Sequence, residues 1–279
     1  MRLVYDSSDP GHGEAGDERR AADDGAHRHH GTIATNFFIP KLMKLTHWQT
    51  HVQLTEEWMR GETVIPEIAH LWPSGPVASL RIIAPKQANR GAEVGLRVVT
   101  TNRKAGHNFI TGPLDFVRAW VHLRVIDAED GVVAEWGAID PKTRRITDTG
   151  DTTHAPGNSR REGTMVLEAT PLDAEGNELV RHELWKKAGG KGERVIFPQY
   201  ADTHAFSFTI PIDAAGPLRI EANLDFRRYR QEFLDLVLPG VEDAAGVRQP
   251  TVTQTSASKI IELTSAPAGP PTAEPGGSR

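Results

Sequence analysis

The stretch FVRAWVHLRVID, residues 116–127, alternates without a break. Phe116, Arg118, Trp120, His122 and Arg124 fall on one side, and Val117, Ala119, Val121, Leu123 and Val125 on the other. A period of two is that of a β-strand, whose successive side chains point to opposite faces. A strand with one wholly apolar side must set that side against a second layer, so the chain needs a covering sheet or helix layer.

Other segments share this texture. ASLRIIA (78–84), EVGLRVVTTN (93–102), VVAEWGAI (132–139), HAFSFTIP (204–211), LRIEANLDF (218–226) and TVTQTSASKIIELT (251–264) are short and rich in β-branched residues. DAEDG (127–131) reads as a hairpin turn, and DAEGN (173–177) as a second one between the strands MVLEATPL and ELVRHELW. GGKGE (189–193) reads as a hairpin or mobile loop, and RRYRQEFLDLVL (227–238) as a short helix. So many short strands with regular turns, and no alternating βα pattern, predict a mainly β fold: an antiparallel, immunoglobulin-like β-sandwich.

Ahead of the strands, residues 36–60 read as a helix after Pro40. Leu42, Leu45, Trp48 and Val52 make one apolar stripe, and Gly61 is placed to end the helix. Residues 1–30 are charged, Gly-rich and almost free of large apolar side chains. The expected organisation is an extended lead-in with a histidine cluster (1–35), a helical segment and linker (36–76), a β-sandwich domain (77–264) and a disordered Pro/Gly-rich tail (265–279).

Composition narrows the chemistry. A net charge of −5 with no long basic run argues against a nucleic-acid binder. No apolar run approaches the roughly 18 residues of a membrane span, and the first twenty residues lack the apolar stretch of a signal peptide. Cysteine is absent, which removes disulfides, thiolate catalysis, Cys-based metal sites and a CxxCH haem attachment. Histidine is then the soft ligand that remains. His27, His29 and His30 lie within four positions, which fits metal or haem ligation or a solvated polar linker. His47 and His51 stand at i and i+4, but HWQTH lacks the Glu of HExxH, so an exposed helix face accounts for them. GHNFITGP (106–113) is the most distinctive loop; its His107 is either an exposed ligand or a side chain that holds the loop backbone. GNSRREG (157–163) is not a nucleophile elbow, and GGKGE lacks the spacing of a phosphate loop.

The string TNRKAGHNFITGPLDFVRAWVHLRVIDAEDG resembles a segment of multihaem c-type cytochromes. Many of these carry, after their haem-binding part, a C-terminal β-rich domain with a GHNFPTG-like loop followed by an aromatic, alternating strand. RHELW (181–185), FTIP (208–211), RRYRQEFLDLVLP (227–239), TEEWMRG (55–61) and HHGTIATNFFIP (29–40) are similar to further elements of that domain, the last to an SHRFxGANTAIP-like element. The resemblance covers residues 1 to about 263. It implies that the start MRLVYDSSDPG stands where the family has just passed a CxxCH, so that Met1 is an internal methionine of a larger cytochrome.

On that resemblance the His30 position looks like a distal axial ligand to a haem c, with His29 and His27 as neighbouring alternatives and His107 as a further candidate. The haem belongs to a partner multihaem module or a missing upstream segment. Gly31-Thr32 replaces the family's Arg-Phe/Trp and leaves the choice among the three histidines open; Ile110 replaces the loop proline. The implied function is a non-catalytic accessory part of an electron-transfer system, periplasmic or extracellular because c-type haem is attached there. One competing reading is an extracytoplasmic binding or adhesion module using Trp72, Trp136 and Tyr200. The other is a metal enzyme using His27, His29 and His30 with Asp24, in a segment too flexible to hold catalytic geometry.

Overall fold

A computed structural model describes residues 3–5, 28–30, 37–63, 75–110, 115–148 and 163–264. Its first elements are two short strands, β1 (Leu3–Tyr5) and β2 (Arg28–His30), paired antiparallel with Leu3 opposite His30. Two helices follow, α1 (Phe38–Leu42) and α2 (Trp48–Arg60). The expected single helix over 36–60 is therefore broken. Lys44 and His47 take positive φ values of 48° and 59°, which end α1 and start α2 at a new angle. The break leaves Leu45 exposed instead of in the stripe, and α2 buries Thr55, Trp58 and Met59. Gly61 does terminate α2, at φ 73°, where an added Cβ would collide with the carbonyl of Gly75.

The remaining strands are β3 (Ala78–Ile83), β4 (Gln87–Asn89), β5 (Glu93–Asn102), β6 (Arg118–Ile126), β7 (Val132–Trp136), β8 (Val166–Leu172), β9 (Gly189–Arg194), β10 (Ala201–Thr209), β11 (Leu218–Arg227) and β12 (Val252–Thr264). Helices α3 (Gln231–Val237) and α4 (Val241–Ala245) lie between the last two. One sheet has the order β10-β5-β3. The other runs β4-β12-β11-β6-β8-β9, with β7 also paired to β6. Every pairing is antiparallel except β4 with β12. The fold is thus a mainly β, antiparallel, immunoglobulin-like sandwich.

The alternation of β6 decides which way the large sheet faces. Ala119, Val121, Leu123 and Val125 are fully buried and join one core with Ile220, Ala222 and Leu224 of β11 and Val94, Leu96 and Val98 of β5. The opposite face of β6 carries Arg118, Trp120, His122 and Arg124. Trp120 is fully buried there too, because its Nε1–H donates to Gly137 O at 2.9 Å. Gly137 must be glycine: its φ is 77°, and a Cβ would lie 2.6 Å from the carbonyl oxygen of Val121. At both hairpin turns an aspartate holds the backbone, Asp127 at one and Asp173 at the other. The Asn177 side chain donates to Asp173 and holds that carboxyl below its usual range.

Two expectations fail around residues 178–194. ELVRHELW is not a strand: Glu178 makes one bridge to Leu172, and a 3-10 turn covers Leu184–Lys186. The neighbour of β8 is instead β9, which takes in the GGKGE run read as a hairpin or mobile loop. Its glycines contribute no side chains, so the backbone ladder and the ion pairs of Lys191 with Glu178 and Arg194 with Asp202 hold it.

Candidate functional site

The excursion between β8 and β9 is fixed at both ends on β8. Leu179 N donates to Pro171 O and Ala188 N to Leu172 O, both at 2.9 Å. Between these anchors His182 takes a left-handed backbone with φ 60°. Its Nδ1 lies 3.0 Å from both Asp115 oxygens. A carboxylate accepts, so Nδ1–H donates, and Nε2 is the ring nitrogen left over on the exposed side. Asp115 is 1% exposed while the His182 side chain is 41% exposed. Nε2 has no hydrogen-bond partner among the described residues.

Aromatic rings fix the imidazole plane. Phe116 meets His182 edge-on at 4.9 Å, stacks on Tyr229 at 5.3 Å and touches Phe233 at 4.8 Å. Tyr229 in turn meets Phe38 at 6.1 Å. The Arg228 guanidinium lies over Phe116 at 5.3 Å, a cation–π contact. Arg230 N donates to Phe116 O at 2.6 Å and ties the entry of α3 to this wall.

An imidazole with one nitrogen held by a buried carboxylate and the other uncommitted is the arrangement that orients a metal-bound histidine. It also serves a proton acceptor. Among the described residues no group of three or more His, Asp or Glu side chains is set to hold a metal ion. The donor set here is a single nitrogen, so it fits a metal that arrives with its other positions filled. A haem iron is such a metal. Without cysteine the chain offers no thiol to attach that haem itself.

The residues singled out from the sequence lie elsewhere or outside the described residues. His29 and His30 are in β2, opposite Val4 and Leu3; His27 and Asp24 lie outside the described residues. His107 is exposed, its Nδ1 3.1 Å from Asn108 O. Its loop is held from behind by Asn102, whose Nδ2 donates to His107 O at 2.9 Å and Ile196 O at 3.0 Å. No hydrogen bond or ring contact joins His107 to His182 among the described residues. Trp136 is partly buried, packs on the edge of the core against Phe206 at 5.2 Å and also lines a groove, whereas Tyr200 is exposed beside Phe197; Trp72 lies outside the described residues. An open groove of about 920 Å³ runs past Ala84, Leu96, Trp136 and Phe206, and the described part of its wall holds no histidine. Sequence reasoning missed His182 and Asp115. They are 67 residues apart; each lies in a stretch that carries the resemblance, but nothing in either stretch points to the other.

No protein family model matches the chain, and no curated protein does. Among solved structures, the penta-haem cytochrome c552 of Thermochromatium tepidum is similar at a TM-score of 0.41 and 18% identity, over 66% of this chain and 39% of that one. The CARDB domain of the PF1109 protein of Pyrococcus furiosus, solved in complex with di-metal ions, gives a TM-score of 0.28 at 8% identity, over 67% and 87% of the two chains. The DNA glycosylase AlkC of Pseudomonas fluorescens gives 0.24 at 8% identity, over 81% and 43%. The chain thus spans well under half the length of the cytochrome. Likenesses at this level carry no functional argument.

Proposed function

We propose that this chain is a haem-free accessory domain of an extracytoplasmic multihaem c-type cytochrome system. It packs on a haem-bearing module, a partner subunit or an upstream segment, and offers an imidazole to a haem c held there. The haem supplies the electron transfer; this chain supplies the docking surface and the ligand.

One observation carries the reading. Four separated stretches that resemble the cytochrome domain supply the side chains around His182. Asp115 and Phe116 come from the GHNFITGPLDF run, and His182 from RHELW. Tyr229 and Phe233 come from RRYRQEFLDLVLP, and Phe38 from NFFIP. A His ligand tunes the potential of its iron, and a carboxylate on Nδ1 makes the ring a stronger donor. His30, His29, His27 and His107 keep the place that the resemblance gives them, as further axial-ligand candidates.

The test is a titration of the full chain with a ferric c-type haem peptide whose sixth position is open. The expected result is a high-spin to low-spin change that saturates at equimolar peptide and is lost in His182→Ala. Loss in His30→Ala instead keeps the reading and moves the ligand to β2. No low-spin species, or one that survives His182→Ala, His30→Ala and His107→Ala, overturns it.

A second reading, a binding or adhesion module without a redox role, rests on Phe197 and Tyr200, which are 58% and 68% exposed with ring centroids 6.4 Å apart. Exposed paired rings suit a stacking ligand. Glycan binding that Tyr200→Ala abolishes, in a chain inert to the haem peptide, would establish it.

A further inference from the structure

The polar face of the large sheet holds an arginine cluster whose guanidinium groups do not contact His182, although the backbone of Arg230 also ties the wall beside it. Arg118 from β6, Arg227 from β11, Arg144 and Arg145 from the loop after β7, and Arg230 at the entry of α3 line a small, partly open space of about 10 Å³. Of the ionisable groups on its described wall, Glu232 alone is acidic. The other nearby carboxylates are committed. Arg118 pairs with Glu168 and lies 3.6 Å from Glu232, which is also 3.9 Å from Arg145. Glu242 is 3.2 Å from Arg144 and also accepts from Gln249 N and Gln231 Nε2. Arg145 pairs with Asp235 at 3.1 Å. Arg227 donates to Thr251 Oγ1 and Arg144 O and lies over Trp120.

Hydrogen bonding around this space is lopsided. Among the described residues Arg118, Arg144 and Arg230 each keep a buried Nε–H with no acceptor, against one unpaired acceptor beside this space, Gln231 Oε1. Among the described residues Arg230 has no carboxylate within 4.0 Å, its nearest acids being Glu232, Glu168 and Asp115 at longer range. Burial, and then the charge of Arg118, push its pKa below the usual arginine value. Buried donors left unpaired are costly, and a buried cation without a counter-ion more so. A water molecule would accept the N–H groups but bring no charge. An anion answers both demands, and the space admits one atom-sized guest.

We infer that Arg118, Arg144 and Arg230 bind one small anion of halide size beneath the start of α3. The site ties β6, the 144–146 loop and the entry of α3 together through a shared counter-charge. It is independent of any haem partner.

Thermal unfolding of the full chain tests it, at fixed pH and ionic strength, with sodium gluconate exchanged stepwise for sodium chloride. The midpoint should rise with chloride and then follow its logarithm, as ligand linkage requires. Arg230→Gln should abolish the dependence, and Arg145→Gln, whose Nε is not among the orphaned donors, should keep it. Bromide-soaked crystals of the unmodified chain should show an anomalous peak between the three guanidinium groups, a readout that does not need a variant to fold. Equal midpoints in both salts, or a water without anomalous signal at that position, overturns the site. Acetate should behave like gluconate; a response to acetate with none to chloride overturns the single-atom guest.

Discussion

His182 and His204 lie in two regions of one sandwich and use their rings differently. His204 sits on the inner face of β10, 2% exposed. Its Nε2–H donates to Gly163 O at 2.7 Å, Nδ1 accepts from Arg194 Nη1 at 3.1 Å, and its ring meets Phe206 at 4.6 Å. Both nitrogens are spent on framework. At His182 the buried partner is a carboxylate, one nitrogen is spent, and the second faces the surface side of the site. A histidine is framework or chemistry according to what its second nitrogen does, and that depends on whether burial is complete.

Removing the wall should have the largest effect. Phe116→Ala takes a buried ring from between His182, Tyr229 and Phe233 and should cost about 3–5 kcal/mol in urea unfolding. The imidazole loses its fixed plane, so haem-peptide binding should weaken even in the folded fraction. His204→Ala comes next, at roughly 2–4 kcal/mol, because Arg194 Nη1 and Gly163 O are left without their ring partner inside the protein. It should leave the haem-peptide response intact. His182→Ala reverses that pattern. Its half-exposed position lets water reach Asp115, so about 1 kcal/mol of stability is lost, while the low-spin signal disappears. If His204→Ala and His182→Ala gave equal losses of stability, the distinction between framework and ligand would collapse.

The smallest effect concerns a third histidine. His122 stands between Glu135 at 2.8 Å and Asp225 at 3.7 Å, on the polar face of the sheet. Burial raises the pKa of Asp225, against the hydrogen bond from Thr253 and the charges of His122 and Arg227. The folded chain therefore holds this proton more tightly than the unfolded one. The stability it contributes grows as pH falls through the folded value, and is complete below the unfolded value near about 3.9. Asp225→Asn supplies the neutral form at every pH. It should raise the unfolding midpoint at neutral pH, and the gain over the parent should vanish in acid. A midpoint lowered at neutral pH would mean that His122 and Arg227 outweigh burial.

Most strands were legible in the sequence. EVGLRVVTTN and FVRAWVHLRVID became β5 and β6, their apolar sides against one core, because alternation is a local property that a sheet merely has to use. ELVRHELW was misread as a strand for the converse reason. Its residues suit a strand, but GGKGER took the place beside β8, and strand pairing is a competition that no single segment settles. The histidine cluster of residues 27–30 stood out because density along the chain is visible. The pairing of His182 with Asp115 is not, since nothing near either residue points to the other.

By itself the sequence determined the β class, the positions of most strands and turns, the end of α2 at Gly61 and the want of any thiol for covalent haem. These follow from the period of two, from backbone freedom at glycine and from composition. Only the tertiary structure decided which histidine keeps a nitrogen open, which carboxylate stands behind it, and which N–H groups of Arg118, Arg144 and Arg230 find no acceptor among the described residues. Hydrogen-bond saturation depends on every group that packing brings near, and the chain order does not contain it.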